Sequence, residues 1–84
     1  MRLVFDHNAL QDLRYRTDTD RRKALTILDL IEAVLRSPFD GKGKPEPLKF
    51  ELAGCWSRRI DQEHRLVYKV QKSELVVLSC RYHY

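Results

Sequence analysis

The sequence lacks the features that mark membrane, secreted and disulfide-rich proteins. No apolar run approaches the roughly 18 residues of a transmembrane helix, and the first residues show no long apolar stretch of a secretory signal. We therefore expect a cytoplasmic protein with no membrane partner. Cysteine is scarce, with only Cys55 and Cys80, which excludes a disulfide framework and predicts two buried, reduced side chains.

The length and composition indicate one small folded domain. The chain has 84 residues, of which 43% are hydrophobic and 33% are charged, and these values argue against intrinsic disorder. We expect one domain that spans residues 1–84. A chain of this size buries roughly 60% of its unfolded surface, so any chemistry is expected in an open surface groove.

Positive charge is concentrated in the second part of the chain. Residues 1–35 contain six basic and six acidic side chains, whereas residues 36–84 contain ten basic and six acidic ones. The net charge of +4 therefore lies entirely after residue 35. This pattern favours an anionic partner, usually nucleic acid, although a basic surface that serves only solubility would give the same count.

The hydrophobic pattern predicts a strand and two helices before residue 36. Residues 2–5 form a short apolar strand, and Asp6 is a plausible N-cap for a helix over residues 7–16. Residues 17–20 break the pattern and offer caps for a second helix, which ends before Pro38. The apolar stripe expected on that helix consists of Ala24, Ile27, Leu28, Ile31, Val34 and Leu35.

Proline and glycine are scarce elsewhere but cluster in residues 36–49, which predicts a long, stiff loop. Alternating apolar residues then predict strands over residues 56–60, 64–70 and 74–82, joined by turns at 61–63 and 71–73. The expected order is β-α-α-β-β-β, an α+β fold with both helices on one face of a small, mostly antiparallel sheet. On the last strand, one side is predicted to carry Val76, Leu78, Cys80 and Tyr82.

Three residues after the helices have the chemistry of metal-independent RNA cleavage. Glu46 can accept the proton of a ribose 2′-hydroxyl, Arg65 can stabilise the charge of the phosphorane by bidentate hydrogen bonds, and His83 can protonate the departing 5′-oxygen. Each residue also has a simpler interpretation. Glu46 could be a solvated loop residue, Arg65 an ion-pair partner of Glu63 or Asp61, and His83 part of a frayed terminus.

Other residues are candidates for binding rather than for acid–base chemistry. Tyr84 either closes the edge of the core or stacks on a splayed base. The candidates for contacts with RNA phosphates are Lys44, Lys49, Arg58 and Arg59, some of which could simply be solvated. The cysteines and the histidines His64 and His83 match no metal-ligand spacing, so we expect neither a metal nor a cofactor.

Four segments resemble the YoeB toxins of bacterial toxin–antitoxin modules. They are residues 38–49 (PFDGKGKPEPLK), 56–60 (WSRRI), 64–68 (HRLVY) and 80–84 (CRYHY). The resemblance extends over the whole chain. It departs from the family pattern at Phe50, where relatives often carry a polar residue or histidine, and at Cys55, where an aromatic residue is common.

The resemblance implies a compact, microbial-ribonuclease-like fold of the RelE/ParE superfamily and a ribosome-dependent endonuclease that cuts mRNA codons in the A site. It implies 70S ribosomes and mRNA as partners, inhibition by a YefM-type antitoxin, and allows a homodimer. In the family pattern Glu46 is the general base, Arg65 stabilises the phosphate, His83 is the general acid and Tyr84 supports the site. Lys49 and Arg59 match positions near the RNA path.

Two alternatives remain open from the sequence. One is a non-catalytic toxin on the same fold, such as the ParE toxins that poison gyrase, which would not need Glu46 or the ending at residues 81–84. The other is a plain RNA-binding module, in which Glu46 and His83 would have no catalytic role.

Overall fold

The computed structural model describes residues 1–81 and contains two helices and a five-stranded mixed sheet. The elements are β1 (Arg2–Phe5), α1 (His7–Thr19), α2 (Arg21–Arg36), β2 (Glu46–Pro47), a 3-10 helix (Phe50–Leu52), β3 (Trp56–Arg59), β4 (Arg65–Gln71) and β5 (Glu74–Ser79). The strand order is β1-β5-β4-β3-β2, with β1 parallel to β5 and every other pair antiparallel. This architecture confirms the predicted α+β class. The predictions for Tyr82, His83 and Tyr84 lie outside the described residues.

An aspartate side chain caps the N-terminus of each helix, as the sequence predicts. The Asp6 carboxylate accepts the backbone N–H of Asn8 at 3.0 Å, and Asp20 accepts that of Lys23 at 3.3 Å. Helix α1 nevertheless continues to residue 19 instead of ending at residue 16. The reason is that the Thr17 and Thr19 hydroxyls donate to helix carbonyls one turn earlier, at 2.7 and 2.8 Å, so these polar residues stay within the helix.

The core lies between α2 and one face of the sheet. The sheet contributes Leu66, Tyr68, Leu75 and Val77 to the core, and α2 contributes Ile27, Leu30, Ile31 and Val34. Helix α2 also buries Ala24 and Ala33. The predicted stripe on α2 is thus correct except for Leu28, which is 44% exposed. Leu30 takes its place in the core because Leu28 follows Ile27 by about 100° of helix rotation and so lies at the flank of the stripe.

The last strand carries a β-bulge that the periodicity did not predict. Val67 of β4 pairs with Ser79, but the next β4 residue pairs with Val77, so the pairing passes over Leu78. An extra residue reverses the inward–outward alternation on either side of it. The prediction that residues 76, 78 and 80 share one face is therefore wrong. The fully buried residues of this segment are Leu75, Val77 and Cys80.

Both cysteines are buried free thiols, as predicted. Burial, together with the nearby Asp12 carboxylate, raises the pKa of Cys80 to about 12. Asp12 also accepts the backbone N–H of Cys80 at 2.9 Å, which attaches the end of the sheet to α1. Across residues 1–81, the helices are too short or too polar to cross a membrane.

The turn between β3 and β4 is organised by Asp61. Its carboxylate accepts the backbone N–H groups of Glu63 at 2.8 Å and His64 at 2.7 Å, and it pairs with Lys23 at 3.2 Å. Burial by itself would raise the pKa of Asp61, but these hydrogen bonds and the Lys23 charge together hold that pKa below its usual value. The predicted turn is thus confirmed, and it is fastened to α2.

The proline-rich segment is not entirely loop. Glu46 and Pro47 form β2, in which Glu46 pairs with Ser57 and Pro47 with Trp56 at the edge of the sheet. The strand was missed because two flanking prolines argue against a ladder, yet proline is tolerated on an edge strand. This short pairing fixes Glu46 on the sheet.

Gly43 lets the loop pass close beneath β3. Its carbonyl accepts the backbone N–H of Arg59 at 2.7 Å, and its φ is +89°. A Cβ at this position would lie 2.9 Å from Leu30 Cδ2 and 3.1 Å from Arg58 Cβ. The position therefore requires glycine for two reasons, backbone conformation and space.

Gly43→Ala is expected to lower the free energy of unfolding by about 2–4 kcal/mol, through a positive φ and steric overlap together. Gly54→Ala is the matched control, because Gly54 has a φ of +93° but no atom within 4 Å of an added Cβ. It should lower the free energy of unfolding by only about 1–2 kcal/mol. Urea denaturation measures both, and equal losses would show that close packing at Gly43 is unimportant.

Candidate active site

The strand pairing brings the predicted residues of the sheet onto one face. Glu46 pairs with Ser57, Ser57 pairs with Val67, and Arg59 pairs with Arg65. Side chains at paired positions point to the same face of a sheet, and alternate residues point to opposite faces. Because the side chains at positions 66 and 68 enter the core, these five residues lie on the face away from the helices.

Arg65 contacts Glu46 directly. Its Nη2 lies 2.5 Å from Oε1 of Glu46, and its Nε donates to the Ser57 hydroxyl at 2.9 Å. The alternative in which Arg65 pairs with Asp61 is not what the structure shows, since Asp61 pairs with Lys23. The guanidinium is thus oriented by two contacts, one with β3 and one with β2.

The two charged groups differ in exposure. The Arg65 side chain is 12% exposed, whereas the Glu46 side chain is 57% exposed. A largely buried guanidinium has a stronger electrostatic effect than a solvated one because less water screens it. The exposed carboxylate remains accessible to a ligand. The pair therefore combines a fixed cation with a reachable proton acceptor.

Ser57 is a residue of this site that the sequence analysis did not single out. Its side chain is completely buried, and its hydroxyl accepts the hydrogen bond from Arg65. The sequence feature that could have identified Ser57 is the strand alternation, which places Ser57 on the same face as Arg59. A serine in an otherwise arginine-rich strand carried no chemical indication of its role, because its contact depends on the register between β3 and β4.

The prediction that Arg58 binds RNA is wrong, because Arg58 is fully buried. Its guanidinium donates to the backbone carbonyls of Ser37, Asp40 at 2.8 Å and Lys42 at 3.1 Å. Its Nε donates to the Tyr68 hydroxyl at 3.2 Å. These partners replace the water that the buried charge has lost.

Strand alternation explains why two consecutive arginine side chains lie on opposite faces of the sheet. Arg58 pairs with Leu66, on the core face, whereas Arg59 pairs with Arg65 on the open face and is exposed. Consecutive basic residues on a strand cannot both reach one ligand surface. The loop carbonyls then accept the hydrogen bonds of the inward-pointing guanidinium.

Arg58 and Tyr68 together hold the loop that precedes Glu46. The Tyr68 hydroxyl donates to the Pro38 carbonyl at 2.7 Å, next to the Ser37 carbonyl that Arg58 contacts. Burial raises the pKa of Tyr68, although the Arg58 charge acts in the opposite direction. Four backbone carbonyls within residues 37–42 are thereby held by β3 and β4.

The other predicted RNA contacts lie on the surface near Glu46. Lys44, Lys49 and Arg59 are all exposed. Lys49 and Glu46 also line an open surface cavity of about 350 Å³. The residues around this cavity are Glu46, Pro47, Leu48, Lys49, Phe50 and Leu52. One exposed cation, Lys49, therefore shares an open cavity with the carboxylate.

Of residues 81–84, the structure describes only Arg81. The Arg81 guanidinium stacks on the Tyr15 ring of α1, with 3.8 Å from its carbon to the ring centroid. His83 and Tyr84 lie outside the described residues, so their places in the site stay predictions. Within residues 1–81, no three histidine, cysteine or acidic side chains are grouped so that they could hold a metal ion.

Comparisons with known proteins identify the family that the chain resembles. A family model described as "YoeB-like toxin of bacterial type II toxin-antitoxin system" matches residues 5–84. Toxin YoeB of Escherichia coli (strain K12) is 50% identical, with complete coverage of both chains.

Solved structures resemble the chain over its whole length. A YoeB/ParE toxin from Agrobacterium tumefaciens superimposes with a TM-score of 0.97 at 49% identity, with complete coverage of both chains. YoeB of Staphylococcus aureus, solved in a YoeB–YefM complex and as a dimer, gives TM-scores of 0.90 and 0.92 at 38% and 39% identity. In both cases the match covers 100% of this chain and 98% of the other.

Arg58→Met is expected to lower the free energy of unfolding by about 3–5 kcal/mol, because it leaves buried carbonyls and the Tyr68 hydroxyl without their partner. Arg59→Met, one residue away but exposed, should change it by less than about 0.5 kcal/mol. Urea denaturation of both variants measures the difference. Similar stability of the two variants would contradict the structural role assigned to Arg58.

Proposed function

Since the chain belongs to the family of YoeB-like toxins of bacterial type II toxin–antitoxin systems, we propose that it is a ribosome-dependent endoribonuclease. It cuts the mRNA codon in the A site and so halts translation. The observation that supports this proposal most is the contact of Arg65 with Glu46 on the open face of the sheet. It pairs a proton acceptor with a cation that suits a phosphate.

Glu46 acts as the general base. Its carboxylate removes the proton of the ribose 2′-hydroxyl while that oxygen attacks the adjacent phosphorus. The bond from the 2′-oxygen to phosphorus forms as the bond from phosphorus to the 5′-oxygen breaks. The exposed carboxylate can approach the ribose, and β2 pairing limits how far its backbone moves.

Arg65 stabilises the negative charge that develops on the phosphate oxygens. A guanidinium has five N–H donors, and the contacts with Glu46 and Ser57 use two of its nitrogens. Preorganised donors of this kind lower the barrier because they need no reorientation as the charge appears. The hydrogen bond with Ser57 supplies that preorganisation.

His83 is the general acid that protonates the departing 5′-oxygen, and Tyr84 supports the site. Both roles follow from the family pattern at the end of the chain. With an acid, a base and a fixed cation supplied by side chains, the reaction uses no metal ion and no cofactor.

The mRNA strand is held by cations around the site and oriented by the 70S ribosome. Lys44, Lys49 and Arg59 contact backbone phosphates, which positions the strand without reading its sequence. The whole chain has a surface of only 5652 Å², so it offers little area to orient a flexible strand. The ribosome supplies that orientation and so reduces the entropy lost in the transition state.

The proposed setting is the bacterial cytoplasm, with a YefM-type antitoxin as the inhibitor. The support is the S. aureus relative, whose solved structures include a YoeB–YefM complex and a YoeB dimer. By the same comparison this chain forms a homodimer as well as an antitoxin complex. The positive charge after residue 35 suits an acidic antitoxin segment that covers the site.

Glu46→Gln tests the proposed general base. The amide keeps the shape and can still accept a hydrogen bond from Arg65, but it cannot take the proton. Cleavage of mRNA on programmed ribosomes is expected to fall by about 10²–10⁴-fold, the usual contribution of a general base. Glu51→Gln, a change at another exposed acid close by in the chain, serves as the control and should cleave like wild type.

Single-turnover mapping of cut sites measures these rates, and His83→Ala in the same assay tests the acid. If each variant loses cleavage but still binds the ribosome, the result supports Glu46 as the base and His83 as the acid. Intact mRNA with the wild-type protein, together with inhibited gyrase, would favour the non-catalytic ParE-like alternative. Wild-type cleavage rates in the Glu46→Gln variant would remove Glu46 from the mechanism.

A further inference from the structure

Phe50 combines two unfavourable features. It is 91% exposed, so its ring gains almost nothing from burial, and its φ is +58°. A bulky non-glycine residue in the left-handed region is a genuine outlier. Such outliers persist only where the surrounding structure imposes them, and they cluster at functional sites.

The turn around Phe50 is held by a series of backbone hydrogen bonds. The Leu52 N–H donates to Lys49 at 3.1 Å, and the Ala53 N–H donates to Phe50 at 3.0 Å. Two further hydrogen bonds close the turn, each at 2.9 Å. The Leu48 N–H donates to the Cys55 carbonyl, and the Cys55 N–H donates to the Leu52 carbonyl. Phe50 is therefore presented to solvent by a fixed backbone.

The surroundings of Phe50 indicate what it contacts. Phe50 lines the same cavity as Glu46, whose carboxylate pairs with Arg65. Lys49, beside it in the chain, also lines the cavity and is exposed. An aromatic ring flanked by a cation, beside a candidate site for a phosphodiester, is the combination that binds single-stranded nucleic acid.

We propose that Phe50 is a base-stacking residue, whose ring stacks on an unpaired nucleobase of the mRNA strand next to the scissile phosphate. The inference rests on the proposed function and adds a binding residue to it. Every base has a π-face, so this contact holds the strand without selecting its sequence. The rigid turn keeps the ring in place before the strand arrives, which reduces the entropy lost on binding.

The test compares Phe50→Leu with Phe50→Trp. Leucine keeps an apolar side chain but removes the aromatic face, whereas tryptophan retains and enlarges it. Binding is measured with 70S ribosomes programmed by an mRNA that carries a 2′-O-methyl group at the scissile ribose, so that it cannot be cut. A 2-aminopurine in the A-site codon reports stacking through its fluorescence.

Phe50→Leu is expected to raise Kd by roughly 5- to 150-fold, the range for loss of one stacked base, and to abolish the change in 2-aminopurine fluorescence. On cleavable mRNA the same variant should raise KM more than it lowers kcat. Phe50→Trp should bind at least as tightly as wild type. The melting temperature of each variant should match wild type, since the ring is exposed.

Leu10→Ala is the control for loss of an exposed apolar side chain, because Leu10 is 54% exposed on α1. It should leave Kd unchanged. Equal affinity of Phe50→Leu and wild type would overturn the stacking proposal, as would a defect confined to self-association or antitoxin binding. If wild type binds the modified mRNA and shows stacking but leaves unmodified mRNA intact, the nuclease proposal fails and the stacking proposal stands.

Discussion

The buried guanidinium of Arg58 is the constraint on which the site depends. It lies inside the protein, where a cation without partners would be strongly unfavourable, and its partners are backbone carbonyls of residues 37–42. The loop must therefore lie against β3 for the charge to be tolerated. The same loop leads directly into β2, so the contacts that satisfy Arg58 also determine where Glu46 begins its pairing with Ser57.

The site itself is a row of side chains across three strands. Glu46 comes from the edge strand β2, Ser57 from β3 and Arg65 from β4, and the Arg65 guanidinium contacts both of the others. Because the hydrogen-bonded register fixes their separations, the row needs no enclosed pocket. An open face of this kind suits a polymer that is held elsewhere, and Phe50 lines the same cavity as Glu46.

The α+β class, the helix caps and the hairpin turns could be predicted, because each depends on residues close in the chain. Asp6 and Asp20 cap helices within three residues of themselves, and Asp61 closes its own turn. The bulge at Leu78 could not be predicted from the same pattern. A single inserted residue leaves the composition of a strand unchanged while it reverses the face of every residue beyond it.

The sequence alone determined which chemical groups are available: a carboxylate between prolines, arginines on strands, and a basic second half. The tertiary structure decided which of them act together. Arg58 and Arg59 are chemically identical neighbours, but alternation sends one into the core and leaves the other on the open face. Contacts between residues 19 positions apart, such as Glu46 with Arg65, depend on strand register, which no local pattern specifies.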